Sequence, residues 1–238
     1  MFNSRVFVAE LIGTFALVFI GAGAGVTGLG GVVGVALAHG LTLAVFAYVF
    51  GHISGTHVNP AVTFGLALNG TVKWGQALYY WIAQFAGAAI AAWALSFVVS
   101  SVSGIDGGAT VGPLTKPGDL AYAPYAGFLV EAILTFFLVN TVLHAAVAGK
   151  AGSFAGLAIG LTLTFAILAG GPMTGASLNP ARTFGPALFT GSLKEPMTYL
   201  IYLAGPLLGS AMAVGVFKFL NGGEIAMAEG AKKPPKKK

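Results

Sequence analysis

The sequence predicts an all-α membrane protein, with six transmembrane helices plus two re-entrant half-helices in an inverted repeat. Three observations predict it. The 238 residues are 56% hydrophobic and only 8% charged, where an ordinary soluble domain is about 25% charged. Six apolar stretches approach or exceed the ~20 residues that cross a ~30 Å hydrocarbon core. A fifteen-residue stretch also occurs twice, as SGTHVNPAVTFGLAL at 54–68 and TGASLNPARTFGPAL at 174–188, with nine identical positions.

The six stretches are 6–26, 33–50, 77–99, 125–147, 154–169 and 197–220. The first follows Arg5 and could be mistaken for a signal peptide, but it is long, contains Glu10 and is followed by five more. Thirty-six glycines fit helices that pack closely in lipid. The chain has no cysteine, which excludes disulfides, thiol catalysis and Cys-ligated metals. The reading is one channel domain over 1–220, with repeats at about 5–100 and 125–220. A basic tail follows at 221–238, expected to be solvated and cytoplasmic. Arg5, Lys73, Lys150, Lys218 and the KKPPKKK end fall on one side of six crossings, which the positive-inside rule makes cytoplasmic. Both termini are therefore expected inside. Lys116, Lys194, Arg182, Asp106, Asp119 and Glu195 fall opposite.

The halves repeat along their length. AELIGTFALVF at 9–19 matches VEAILTFFLVN at 130–140, pairing Glu10 with Glu131, and HGLTL at 39–43 matches IGLTL at 159–163. Three crossings per half is an odd number, so the second copy enters from the opposite face. A site is then expected where the halves meet, near the midplane.

Each doubled stretch supplies a helix of about ten residues, ~15 Å long, or half a bilayer. Asn is a favoured N-cap and Pro a favoured first helical residue, so Asn59-Pro60-Ala61 and Asn179-Pro180-Ala181 each begin a half-helix. Irregular backbone survives at membrane depth only when buried in protein or lining a water cavity. Two half-helices entering from opposite faces would oppose their N-termini, each carrying roughly half a positive charge, and repel cations and protons. With each Asn oxygen engaged as a cap, its amide is expected to donate into the lumen.

These residues resemble the aquaporins, or major intrinsic proteins. The resemblance rests on the two Asn-Pro-Ala boxes, on Glu10 and Glu131 in spans one and four, and on six spans in two halves, over about residues 5–220. It implies passive flow of water or small neutral solutes and a homotetramer with one pore per subunit. It also implies an aromatic/arginine filter whose arginine maps to Arg182. The paired position is Val62, so the fold itself does not require a charge there. A cation is disfavoured at a helix N-terminus, which argues for a lumen role.

By motif spacing, the other filter positions fall on His39 in span two, Ile167 in span five and Ala176 in the second loop. Strict water channels resemble one another in having Phe and His where His39 and Ile167 stand. The set His39, Ile167, Ala176 and Arg182 resembles the tonoplast intrinsic branch of plants, which passes water and often ammonia, urea or hydrogen peroxide. Glycerol-conducting relatives tend to carry Asp and Lys where Thr183 and Ala187 stand, which argues against a glycerol facilitator. Tyr202 and Leu203 are less clean, because water channels more often show an aromatic pair there.

Glu10, Glu131 and His57 are read as loop-bracing groups, each carboxylate accepting backbone N–H bonds from a re-entrant loop. Gln84 and His144 are read as buried packing groups. No cofactor, metal or nucleic-acid partner is expected; the partners are water, small neutral solutes and the lipid bilayer. An enzyme is not expected, since the four histidines show no metalloprotease spacing and no serine sits in a nucleophile elbow. A coupled transporter would need an acidic ion site, and Glu10 and Glu131 lie away from the boxes.

Overall fold

The computed structural model describes residues 3–28, 30–100, 113–115 and 123–231, with the side chains of 99, 100 and 223–231 left aside. Asp106, Lys116, Asp119 and the KKPPKKK stretch lie outside the described residues. Helices α1 (Ser4–Thr27) and α2 (Gly31–Ser54) form the first two spans, and α3 (Pro60–Asn69) is the first half-helix. Helix α4 (Trp74–Ser100) is span three. Helix α5 (Ala123–Thr141) continues through a π-helical turn, Val142–Val147, as span four. Helix α6 (Ala155–Thr174) is span five and α7 (Pro180–Thr190) is the second half-helix. The short α8 (Pro196–Tyr199), a π-helical turn at Leu200–Ala204 and α9 (Gly205–Ala231) make span six. Among the described residues, six helices are long and apolar enough to cross a membrane.

Span five runs beyond the end expected at 169, through Gly170, Gly171 and the in-helix Pro172 to Thr174. Pro172 removes one helical donor. The extra turn is held from outside, because Thr174 gives its hydroxyl to Glu131 and its carbonyl accepts from the Tyr202 hydroxyl. Past residue 220, α9 continues as helix to Ala231.

The helices approach closely at glycines that obey the repeat. Gly87 of α4 packs on the Leu11 carbonyl of α1, and Gly209 of α9 on the Ala132 carbonyl of α5. Across the seam between halves, Gly40 of α2 lies against the Gly160 carbonyl of α6, and Gly160 against that of Gly40. A methyl group at any of these positions would force backbones apart. With little hydrophobic drive between helices in lipid, such close packing holds the bundle together.

Both half-helices start and stop by local chemistry. Asn59 Oδ1 accepts from the Ala61 N–H at 2.8 Å; Asn179 Oδ1 accepts from Ala181 at 3.0 Å and Arg182 at 3.2 Å. Gly70 (φ 86°) and Gly191 (φ 78°) terminate them in the left-handed conformation that glycine adopts without penalty. At the far end of α3, Lys218 Nζ donates to the Leu68 carbonyl at 3.3 Å.

Candidate functional site: an apolar conduit with a polar spine

The loops before the two half-helices carry the unusual backbone. Thr56 (φ 49°), Val58 (φ 44°), Ala176 (φ 42°) and Leu178 (φ 54°) are all left-handed without being glycine. Such residues cost on the order of 1–3 kcal/mol each and persist only where their surroundings over-determine them. Here the surroundings are two buried carboxylates. Glu10 Oε1 accepts from Ser54 Oγ (2.7 Å) and the His57 N–H (2.9 Å); its Oε2 accepts from the Val58 N–H (2.7 Å) and Gln84 Nε2 (2.8 Å). Glu131 repeats the scheme, with Oε1 accepting from Thr174 Oγ1 (2.7 Å) and the Ser177 N–H (2.9 Å) and Oε2 from the Leu178 N–H (2.7 Å). Both glutamates are fully buried.

The repeat adds partners to this scheme that sequence reading missed. Ser54 and Thr174 are offset by 120. Tyr80 and Tyr202 also correspond, and each donates its hydroxyl to the carbonyl of Ser54 or Thr174. Aligning the halves beyond the boxes would have found them. Gln84, read as a packing group, is a fourth donor to Glu10, and the repeat puts Pro206, which has no side-chain donor, at the corresponding position of the second half.

The half-helices meet tip to tip. Asn59 Nδ2 donates to the Leu178 carbonyl and Asn179 Nδ2 to the Val58 carbonyl, both at 2.8 Å. One N–H of each amide is therefore committed to the opposite loop, where the sequence reading left the whole amide for the lumen. The second N–H remains, and both asparagines line the central cavity.

That cavity, narrow at about 50 Å³, runs past both tips. Its walls are apolar and largely repeat-related, with Leu17 paired to Leu138 and Leu43 to Leu163. Its polar groups include His57, Asn59, Ser177 and Asn179, with His39 and Arg182 at one end. His57 Nδ1 lies 3.0 Å from Thr63 Oγ1, which itself donates to the Asn59 carbonyl. The hydroxyl therefore accepts from His57 Nδ1–H, and the imidazole packs against Tyr80 at a 38° tilt with ring centres 4.4 Å apart. In the second half, Thr183 and Ser177 make the corresponding link.

At the filter end, Arg182 Nε donates to His39 Nε2 at 3.2 Å. His39 Nδ1 lies 2.9 Å from the Val35 carbonyl and must donate to it, which leaves Nε2 unprotonated to accept from Arg182. Ile167 and Ala176 are buried in the central hydrophobic cluster, outside the cavity lining. Among the described residues, no group of three or more His, Cys, Asp or Glu could hold a metal ion.

An inverted repeat whose two half-helices meet on one lined conduit defines a membrane channel. The sequence profile described as Major intrinsic protein matches residues 1–217, and the chain belongs to that family. Aquaporin Z of Bradyrhizobium diazoefficiens is 41% identical over 240 residues, covering 97% of this chain and 99% of that protein. A probable aquaporin TIP2-1 of Oryza sativa subsp. japonica is 38% identical over 222 residues, covering 88% and 84%. Among solved structures, the aquaglyceroporin from Plasmodium falciparum superposes with a TM-score of 0.73 at 25% identity, covering 90% of this chain and 95% of that one.

Proposed function

We propose that this protein is a passive channel for water and small neutral solutes such as ammonia, urea or hydrogen peroxide, and that it excludes protons and ions. The observation that carries the proposal is the meeting of two oppositely inserted helix N-termini on one conduit, cross-tied through Asn59 and Asn179. Two positive dipole ends face a permeant at mid-membrane, and a proton or cation pays for that field where water does not. Asn59 and Asn179 each offer one remaining N–H to a lone pair. Between these polar points the wall is apolar and holds a permeant only weakly, which fast conduction requires.

In this reading His39 and Arg182, which line the cavity, form the filter, while Ile167 and Ala176, expected in it from motif spacing, pack in the hydrophobic cluster outside that lining. Arg182 supplies a fixed charge and donors, and His39 supports it through Nε2. The resemblance of the set at positions 39, 167, 176 and 182 to the tonoplast intrinsic branch supports passage of ammonia or urea beside water, and a probable TIP-type aquaporin is among the relatives. The functional unit is a homotetramer with one conduit per subunit and both termini in the cytoplasm. The clustering of Arg5, Lys73, Lys150 and Lys218 on one face supports that orientation.

Stopped-flow light scattering on proteoliposomes tests the proposal. The expected result is fast osmotic shrinkage, urea and ammonia entry, no ionic current and no dependence on a proton gradient. Slow, saturable, proton-linked uptake would instead identify a transporter. Glycerol entry as fast as urea entry would move the assignment to a glycerol-type facilitator.

A further inference from the structure

The imidazole of His39 has a recess behind it, and the recess is made by a missing side chain. Gly21 of α1 is buried, and a Cβ built on it would clash with the imidazole, against Nε2, Cδ2 and Cε1 at once. The ring is also held at both nitrogens, by the Val35 carbonyl and by Arg182. Span one cannot back away to make room, since Gly87 of α4 already packs on the Leu11 carbonyl and the Phe15 N–H of α1. A side chain at position 21 would therefore displace the imidazole, and the side left open to it is the conduit that His39 lines.

The internal repeat argues that the fold itself does not demand glycine there. Glu10 and Glu131 set an offset of 121 for span one, which puts Val142 opposite Gly21. The HGLTL and IGLTL stretches set an offset of 120, which puts Ile159 opposite His39. Val142 and Ile159 both line the conduit in the other half. The architecture accommodates a valine where the facing residue is aliphatic, so the glycine answers to the imidazole. Its neighbour in the Gly-Ala-Gly-Ala-Gly run is different. A Cβ at Gly23 would meet only Leu95 Cδ1, at an ordinary 3.6 Å.

We propose that Gly21 is a specificity-determining position: its bare backbone lets the His39 imidazole lie against span one with Nε2 on Arg182, and this sets the width of the filter. The inference rests on the assignment of His39 and Arg182 to the filter. Gly21 touches no permeant and acts through His39, as a positioning residue.

The test measures urea and water permeability in the same proteoliposomes, normalised to reconstituted protein. With the imidazole pushed into the conduit, Gly21→Ala is expected to lower the urea-to-water ratio by about tenfold, a urea barrier about 1.4 kcal/mol higher. Gly23→Ala should leave the ratio unchanged. His39→Ala should raise it, and adding Gly21→Ala to His39→Ala should then have no further effect. If His39→Ala shifts the ratio while Gly21→Ala does not, the proposal is overturned and the filter assignment stands. If His39→Ala leaves the ratio unchanged, the filter assignment itself fails and the proposal goes with it. Should Gly21→Ala fail to fold, the double variant must restore a folded, conducting channel, and failure to restore it also overturns the proposal.

Discussion

Val58 is a β-branched residue at φ 44°, a conformation such residues avoid. It is held there because its N–H reaches Glu10 and its carbonyl accepts the Asn179 amide. Neither partner is near it in sequence. At this scale the sequence offered pairings, such as Glu10 with Glu131 and Asn59 with Asn179, but not the atoms they meet. That each asparagine amide reaches the opposite loop depends on a distance across the molecule, and no local pattern encodes it. Two predictions belong here. Arg182→Val removes the fixed charge and widens the opening, so urea and cation leak should rise on the order of tenfold, the effect of a barrier about 1.4 kcal/mol lower; paired flux and conductance measurements check this. His39→Phe replaces an acceptor with a bulkier ring and should suppress urea and ammonia relative to water. A flux ratio that stays put would place His39 outside the lumen.

Helices and loops were legible to different degrees. The half-helices were readable because their caps are local, with Asn before Pro at one end and Gly at the other. The end of span five was not, since Gly170, Gly171 and Pro172 look like a stop and only Glu131 and Tyr202 carry the helix to Thr174. The π-helical turns at Val142–Val147 and Leu200–Ala204 were equally hidden. One extra residue per turn leaves no compositional mark, and Val142 and Ala146 of the first of these turns line the conduit. The loops depend on their carboxylates. Glu10→Ala should orphan the His57 and Val58 N–H groups at about 1–3 kcal/mol each and release the strain at Val58. The expected outcome is a large fall in thermal stability in detergent, whereas wild-type melting with loss of conduction would give Glu10 a role in the lumen instead.

The whole molecule is two copies of one unit related by inversion across the membrane, and the seam between them is the conduit. Asn221 donates to the Phe217 carbonyl and lies 3.3 Å from His144 Nε2, tying span six to span four. Truncation after Gly222 keeps that tie and should leave per-channel water permeability within about twofold, a change worth under 0.5 kcal/mol in barrier. A large loss would give the tail a part in conduction. The sequence by itself determined the membrane setting, the six crossings, the doubled half-helices and the family. These follow from composition, segment length and caps, which act over a few residues. The tertiary structure alone decided which carbonyls the asparagines reach, that Arg182 rests on an unprotonated His39 nitrogen, and that Gly21 makes room for that ring. Each of these is a meeting between segments far apart in the chain, and close packing fixes such meetings to within one methyl group, which no local pattern of residues can specify.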